Sequence, residues 1–212
     1  MGVKVPFTDN QGLVERLLRD VYNWLVVLVA INIMWVLLSL TVILIPPATA
    51  GLFHVALQVT RGEGPTVTTF LVGMRRWFLH SYLWGLLLVA YVVVSLAALS
   101  FYSASTSLLA DLLLVLAALV IGFVGAMQLY FWPYMMLQEK PGFLVAQRNA
   151  AFTLLGDPLA ALVNVGVSVM LLALSLVLVI PFVILMPVVV AFWLTYTLIY
   201  WLKRRGLLPI ES

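Results

Sequence analysis

The sequence predicts an all-α polytopic membrane bundle, and three observations carry that prediction. Apolar residues make up 65% of the chain and charged residues only 9%, where a soluble domain carries about a quarter charged. The apolar residues fall in unbroken runs, several of them reaching the ~20 residues that cross a bilayer. The basic residues stand in short clusters between those runs, as they do at the ends of membrane helices. A soluble fold of 212 residues would leave too much of this apolar surface in water. The resulting expectation is one membrane domain over 1–212 with five spans, 21–45, 80–102, 108–137, 159–179 and 183–202. Interfacial or re-entrant connectors occupy 46–79 and 138–158, and an amphipathic helix covers 11–20.

The first 20 residues mix both charge signs. The apolar run after them is 25 residues long, beyond a signal-peptide core of about 7–15, so it is read as a retained span. In the preceding helix Leu13, Leu17 and Leu18 share one side, with Glu15, Arg16 and Arg19 on the other. That pattern suits the membrane interface. Span one holds no charge and is expected to end at Pro46-Pro47, because proline lacks an amide hydrogen and disfavours helix in the residue before it. Ala48 to Val59 is apolar but only 12 residues long, a length typical of interfacial, re-entrant or buried segments of about 10–14. Arg61-Gly62-Glu63-Gly64-Pro65 reads as a turn. A second short helix then runs from Thr66 to Leu79, with Thr66 or Pro65 near its start and Arg75, Arg76 and Trp77 in its last turn.

Span two is followed by a polar turn at Ser103–Ser107. Span three is long, and Pro133 is its expected bend. Gln138 to Gly142 forms another turn, Phe143 to Leu155 another short amphipathic helix, and Gly156-Asp157-Pro158 restarts the chain. The next 44 residues hold no charge; as one helix they would reach about 66 Å, twice the hydrocarbon thickness. Two spans fit better, with the turn between Ile180 and Pro187 and with Pro181 and Pro187 as breakers. Lys203-Arg204-Arg205 closes the last span.

Glu63-Gly64-Pro65 and Glu139-Lys140-Pro141 share a Glu-x-Pro pattern 76 residues apart. Each follows a span and precedes a short helix that feeds the next span, which is a faint parallel repeat. Five spans put the termini on opposite sides. Lys4, Arg16 and Arg19 would lie on one side, and Arg61, Arg75, Arg76, Lys140, Arg148, Lys203, Arg204 and Arg205 on the other. The positive-inside rule then places the N-terminus outside and the C-terminus in the cytoplasm.

Chemistry is sparse. The chain has no cysteine and two histidines, His54 and His80, with no metal-ligand spacing, no nucleophile elbow and no phosphate-binding glycine loop. No catalytic residue, metal or cofactor is expected, and a formal charge of +3 is too small to suggest a nucleic-acid partner. Ala118, Gly122 and Ala126 recur every four residues and suit close helix packing. The intramembrane polar candidates are Asn32, Gln128 and Asn164; the plainer reading, favoured for Asn32 and Asn164, is an interhelical hydrogen bond of about 0.6 kcal/mol. Asp111 is read as interfacial. A docking or ligand surface is the functional reading of His54, Arg61, Glu63, Arg75, Arg76 and His80 from the first connector, joined by Glu139, Arg148 and Asn149 from the second, with the two glutamates paired to arginines. The plainer reading is surface ion pairs and contacts of Arg75, Arg76 and Trp77 with anionic lipid headgroups.

Asn32-Ile33-Met34-Trp35-Val36-Leu37-Leu38-Ser39-Leu40, followed by Pro47-Ala48-Thr49-Ala50-Gly51-Leu52, resembles the opening signature of the YesL family, bacterial membrane proteins of unknown function. Arg61-Gly62-Glu63, Tyr130-Phe131-Trp132-Pro133 and Arg148-Asn149-Ala150-Ala151-Phe152 are similar to its later segments, and Gly51 stands where alanine is usual. The resemblance implies a bacterial inner-membrane protein near carbohydrate uptake systems, with ABC transporter subunits as candidate partners, and it supplies no catalytic residue. Two functions follow as expectations: a non-enzymatic accessory or scaffold protein, or a small transporter or channel with a polar path near the connectors. Entry of Ala48–Val59 into the bundle would favour transport, and a flat surface position docking.

Overall fold

The structure is a computed structural model that describes residues 12–104, 107–138, 141–179 and 184–207. The elements in the described residues are helices: α1 (Leu13–Asn23), α2 (Leu25–Ser39), α3 (Ile45–Thr60), α4 (Val67–Arg76), α5 (Phe78–Ser103), α6 (Leu108–Leu137), α7 (Phe143–Gly156), α8 (Pro158–Leu178) and α9 (Met186–Arg204). Local chemistry sets several boundaries. Thr66 and Ser107 cap α4 and α6 by accepting from the amides of Thr69 and Ala110. Asp157 does the same for Ala160 in α8, with Pro158 at the first helical position. Pro46 and Pro47 start α3 instead of merely ending a span, because proline's missing amide costs nothing in a helix's first turn. Gly62, at φ 83°, supplies the left-handed residue just past α3.

Alternating directions build the bundle. Trp35 Nε1 donates to Thr49 Oγ1 at 3.3 Å near one end of α2 and α3, and Gly64 lies against the Trp24 ring at the other. These two helices are therefore an antiparallel hairpin. The Tyr91 hydroxyl donates to the Ile121 carbonyl at 2.6 Å, and Trp84 stacks on Phe131, which makes α5 and α6 antiparallel as well. Arg205 Nη2, just past α9, donates to the carbonyl of Gly156, just before α8, at 3.0 Å.

α3 and α9 form the interior. Of the 16 residues of α3, 12 are buried, and α9 is similarly enclosed. α4 lies across α3 through reciprocal notches. A Cβ on Gly51 would stand 2.8 Å from the Phe70 ring, and one on Gly73 would stand 2.6 Å from His54 Cβ. Helices in lipid gain little from burial itself and associate through such close packing of small residues. The α5–α6 hairpin is the opposite case. Past Trp84 only Ser95 of α5 is buried, and before Gln128 only Ala110 of α6. Its apolar side chains face outward.

Among the described residues four helices, α5, α6, α8 and α9, are long and apolar enough to cross a membrane, and the pair α1–α2, bent by 81°, would be a fifth. α3, at 16 residues, is too short to be a full span. The second connector matches the first in register: α4 and α7 begin 76 residues apart, at Val67 and Phe143, and Phe70 and Ala146, equally spaced, are both fully buried.

Two expectations are corrected. α1 packs on the C-terminal half of α9, where the Tyr196 hydroxyl donates to Asp20 Oδ2 at 2.5 Å. Arg16 and Arg19 therefore share an end of the bundle with Lys203, Arg204 and Arg205 and do not oppose them. The reason is α3, which returns the chain to the end where α2 began. Gly122 is exposed, and a Cβ added to it would meet nothing within 4 Å, so it is not a packing notch in this chain; Gly125, against the Tyr91 hydroxyl, is. Pro133 lies inside α6, where the expected third span places it. Pro181, Lys4, Lys140 and the first residues of the expected amphipathic helix and of span five lie outside the described residues.

Gly73→Ala should lower the thermal unfolding temperature, by about 1–3 kcal/mol of stability, because the atom it meets is a Cβ that cannot swing away. Gly122→Ala should have no such effect. Melting curves of the two variants in one detergent provide the comparison, and equal melting temperatures would contradict the packing described here.

Candidate functional site

The first connector folds into a basic end around α3. His54 is buried on α3 against Gly73 of α4. Burial pushes its pKa down to about 4, and the Arg76 and Arg61 cations add to the effect, so the imidazole is neutral. Arg61, at the C-cap of α3, is held below the ordinary arginine range by burial; Glu63 works against that shift and Arg76 with it. Its Nε has no hydrogen-bond partner among the described residues. Glu63 is exposed and forms no ion pair among those residues, contrary to the expected pairing; Glu139 lies outside them. Arg75 and Arg76 are exposed in the last turn of α4, where cations suit the helix dipole, and Arg76 sits over the Trp77 ring at 5.6 Å. His80 meets the same ring edge-on at 5.8 Å.

The two connectors stay apart. α4 packs on α3 with lesser contact to α2, whereas α7 packs on α6 and α8. Arg148 is exposed and Asn149 half-buried on α7, so they do not join His54, Arg61 and Arg76 in one cluster. α7 is fixed by a reciprocal pair between the Gln128 and Gln147 amides at 3.2 and 3.3 Å. A hydrogen bond between Tyr134 and Thr153 adds a second tie.

The intramembrane polar residues have structural partners. Asn32, fully buried, accepts from the Val188 amide at 3.2 Å. That amide lies in the first turn of α9 beside Pro187 and has no carbonyl of its own helix to reach. Asn32 thus caps another helix 156 residues away. Gln128, besides its bond to Gln147, borders a cavity of about 160 Å³ lined by Trp35, Thr49, Phe53, Trp84 and Trp132. Asp111 is exposed in the first turn of α6.

Asn164 lines a larger cavity, of about 490 Å³, between α1, α8 and α9. Trp193, Trp201, Arg204, Arg205 and Asp157 share its wall. Sequence patterns assign the aromatic residues to the membrane interface and the arginines to the end of a span. They do not bring the two groups together, because the wall needs the returns of both α8 and α1. The spacing of Trp193 and Trp201, two turns apart on one helix face, is the available signal.

Residues 28–99, from within α2 to near the end of α5, match a family described as a protein of unknown function, DUF624. The match contains the Asn32–Leu40 and Pro47–Leu52 signatures and is silent on activity. No curated protein and no solved structure matches the chain.

Two outcomes follow. Asn32→Leu strands the Val188 amide and should cost about 1–3 kcal/mol, read as earlier unfolding; unchanged unfolding would show that the cap contributes nothing. His54 binds protons more weakly folded than unfolded, so stability should fall as pH drops below about 6.5 and level off near 4. His54→Gln should flatten that part of a melting-temperature profile, and a profile identical to that of the parent would refute the assignment.

Proposed function

We propose that the chain is a non-enzymatic accessory or scaffold protein of the bacterial cytoplasmic membrane that docks a membrane partner through its basic short helices. The supporting observation is the exposure of Arg75, Arg76 and Arg148 on α4 and α7, helices anchored to the bundle, with no ion pair to any of the three among the described residues. Exposed basic side chains speed the encounter with an acidic partner and disfavour others. The kind of partner rests on the resemblance to the YesL family, which points to carbohydrate uptake and to ABC transporter subunits. Crosslinking in native membranes followed by purification should recover one dominant partner. Combined Arg75→Glu, Arg76→Glu and Arg148→Glu should reduce recovery about tenfold or more while leaving the melting temperature intact. Undiminished recovery, or no partner at all, would defeat the proposal.

A second reading, a small transporter or channel, is favoured by the burial of α3 within the bundle and by the cavity beside Gln128. Flux of sugars, ions or osmolytes into reconstituted liposomes, reduced by Gln128→Leu, would support it. Liposomes as tight as protein-free ones would count against it.

A further inference from the structure

We infer that the cavity between α1, α8 and α9 binds an anionic phosphate headgroup. Its volume, about 490 Å³, falls within the range of ligand pockets, roughly 300–1,000 Å³. Trp193 and Trp201 line the cavity, with their indole nitrogens buried away from its surface. Arg204 lines the same cavity, is exposed, and forms no ion pair among those residues.

Asp157, the one carboxylate in the wall, is already engaged. Asp157 Oδ1 accepts from the Ala160 amide at 3.3 Å, and Oδ2 faces Arg205 at 3.7 Å. Arg205 is further held by the Gly156 carbonyl and stacks on Trp201 at 4.8 Å. With Arg204 and Arg205 against Asp157, the wall carries a net positive charge. A ligand that satisfies it must bring several acceptor oxygens and negative charge, which is the chemistry of phosphate.

The place of the cavity decides between a lipid and a soluble ester. α1 forms one wall through Leu13 and leaves Val14 and Leu18 exposed. An amphipathic helix with an uncovered apolar side lies at the headgroup level of a bilayer. The opening therefore meets lipid headgroups, and an anionic phospholipid is the ligand the geometry selects.

The full chain, reconstituted in bilayers of equal phosphatidylglycerol and phosphatidylcholine and then extracted, reports its retained lipid by mass spectrometry. The anionic lipid should be retained about tenfold over the zwitterionic one. Arg204→Gln should bring the ratio towards one, and Arg204→Glu should bring it to one or below. Arg75→Gln, at the first connector, should leave it unchanged. Excess sn-glycerol 3-phosphate added before extraction separates the sources: loss of the bound lipid would reassign the site to soluble phosphate esters, and persistence supports the lipid. Equal retention of the two lipids by the parent chain overturns the inference. So does a preference that survives both pocket variants while their melting temperatures match the parent's.

Discussion

The helix Ile45–Thr60 is enclosed along most of its length, with 12 of its 16 residues buried, and the rest of the bundle is arranged to make that enclosure. In lipid, burying an apolar side chain brings little of the gain it brings in water, so helices hold together by close van der Waals fit and by satisfied polar groups. α3 provides the fit through Ala48, Ala50, Gly51 and Ala56, which let α2, α4, α5 and α9 approach. Phe70 fills the space over Gly51, and His54 fills the space over Gly73. Filling the notch at Gly73, where the atom met is the His54 Cβ, forces two backbones apart, so the position of the basic end depends on this packing.

Because α3 returns the chain, α1 meets α9 at the end where both carry their charges. The Asp20–Tyr196 bond and the Arg205–Gly156 bond tie that end together. Asn32 does comparable work deeper in the bundle by completing the first turn of α9. The intramembrane asparagine and glutamine side chains thus act first as connectors between helices.

Much of this is legible in the sequence, and the failures have physical causes. α7 and α8 lie within a few residues of their expected limits, because Gly142, Asp157 and Pro158 are unambiguous starts. The 76-residue spacing of the two connectors predicts matching short helices, and α4 and α7 follow it. The role of Ala48–Val59 stays open at the level of sequence because Pro46-Pro47 reads as a stop for α2 and equally as a start for α3, and only the three-dimensional neighbours decide how such a helix is used. The partner of Asn32 and the wall shared by α1, α8 and α9 are contacts across most of the chain, which no local pattern encodes. The same omission sets Arg16 and Arg19 wrongly opposite Arg204 and Arg205, since one uncounted return reverses every side assignment before it.

The return of α3 is tested most directly by asking whether the two ends of the described chain face the same side of the membrane. The chain has no cysteine, so Gly12→Cys and Leu207→Cys, at exposed positions, give two single-thiol proteins without further change. In sealed vesicles of one orientation, a membrane-impermeant maleimide should label both or spare both. Labelling of one thiol and not the other would place α1 and the end of α9 on opposite sides and contradict the fold described here.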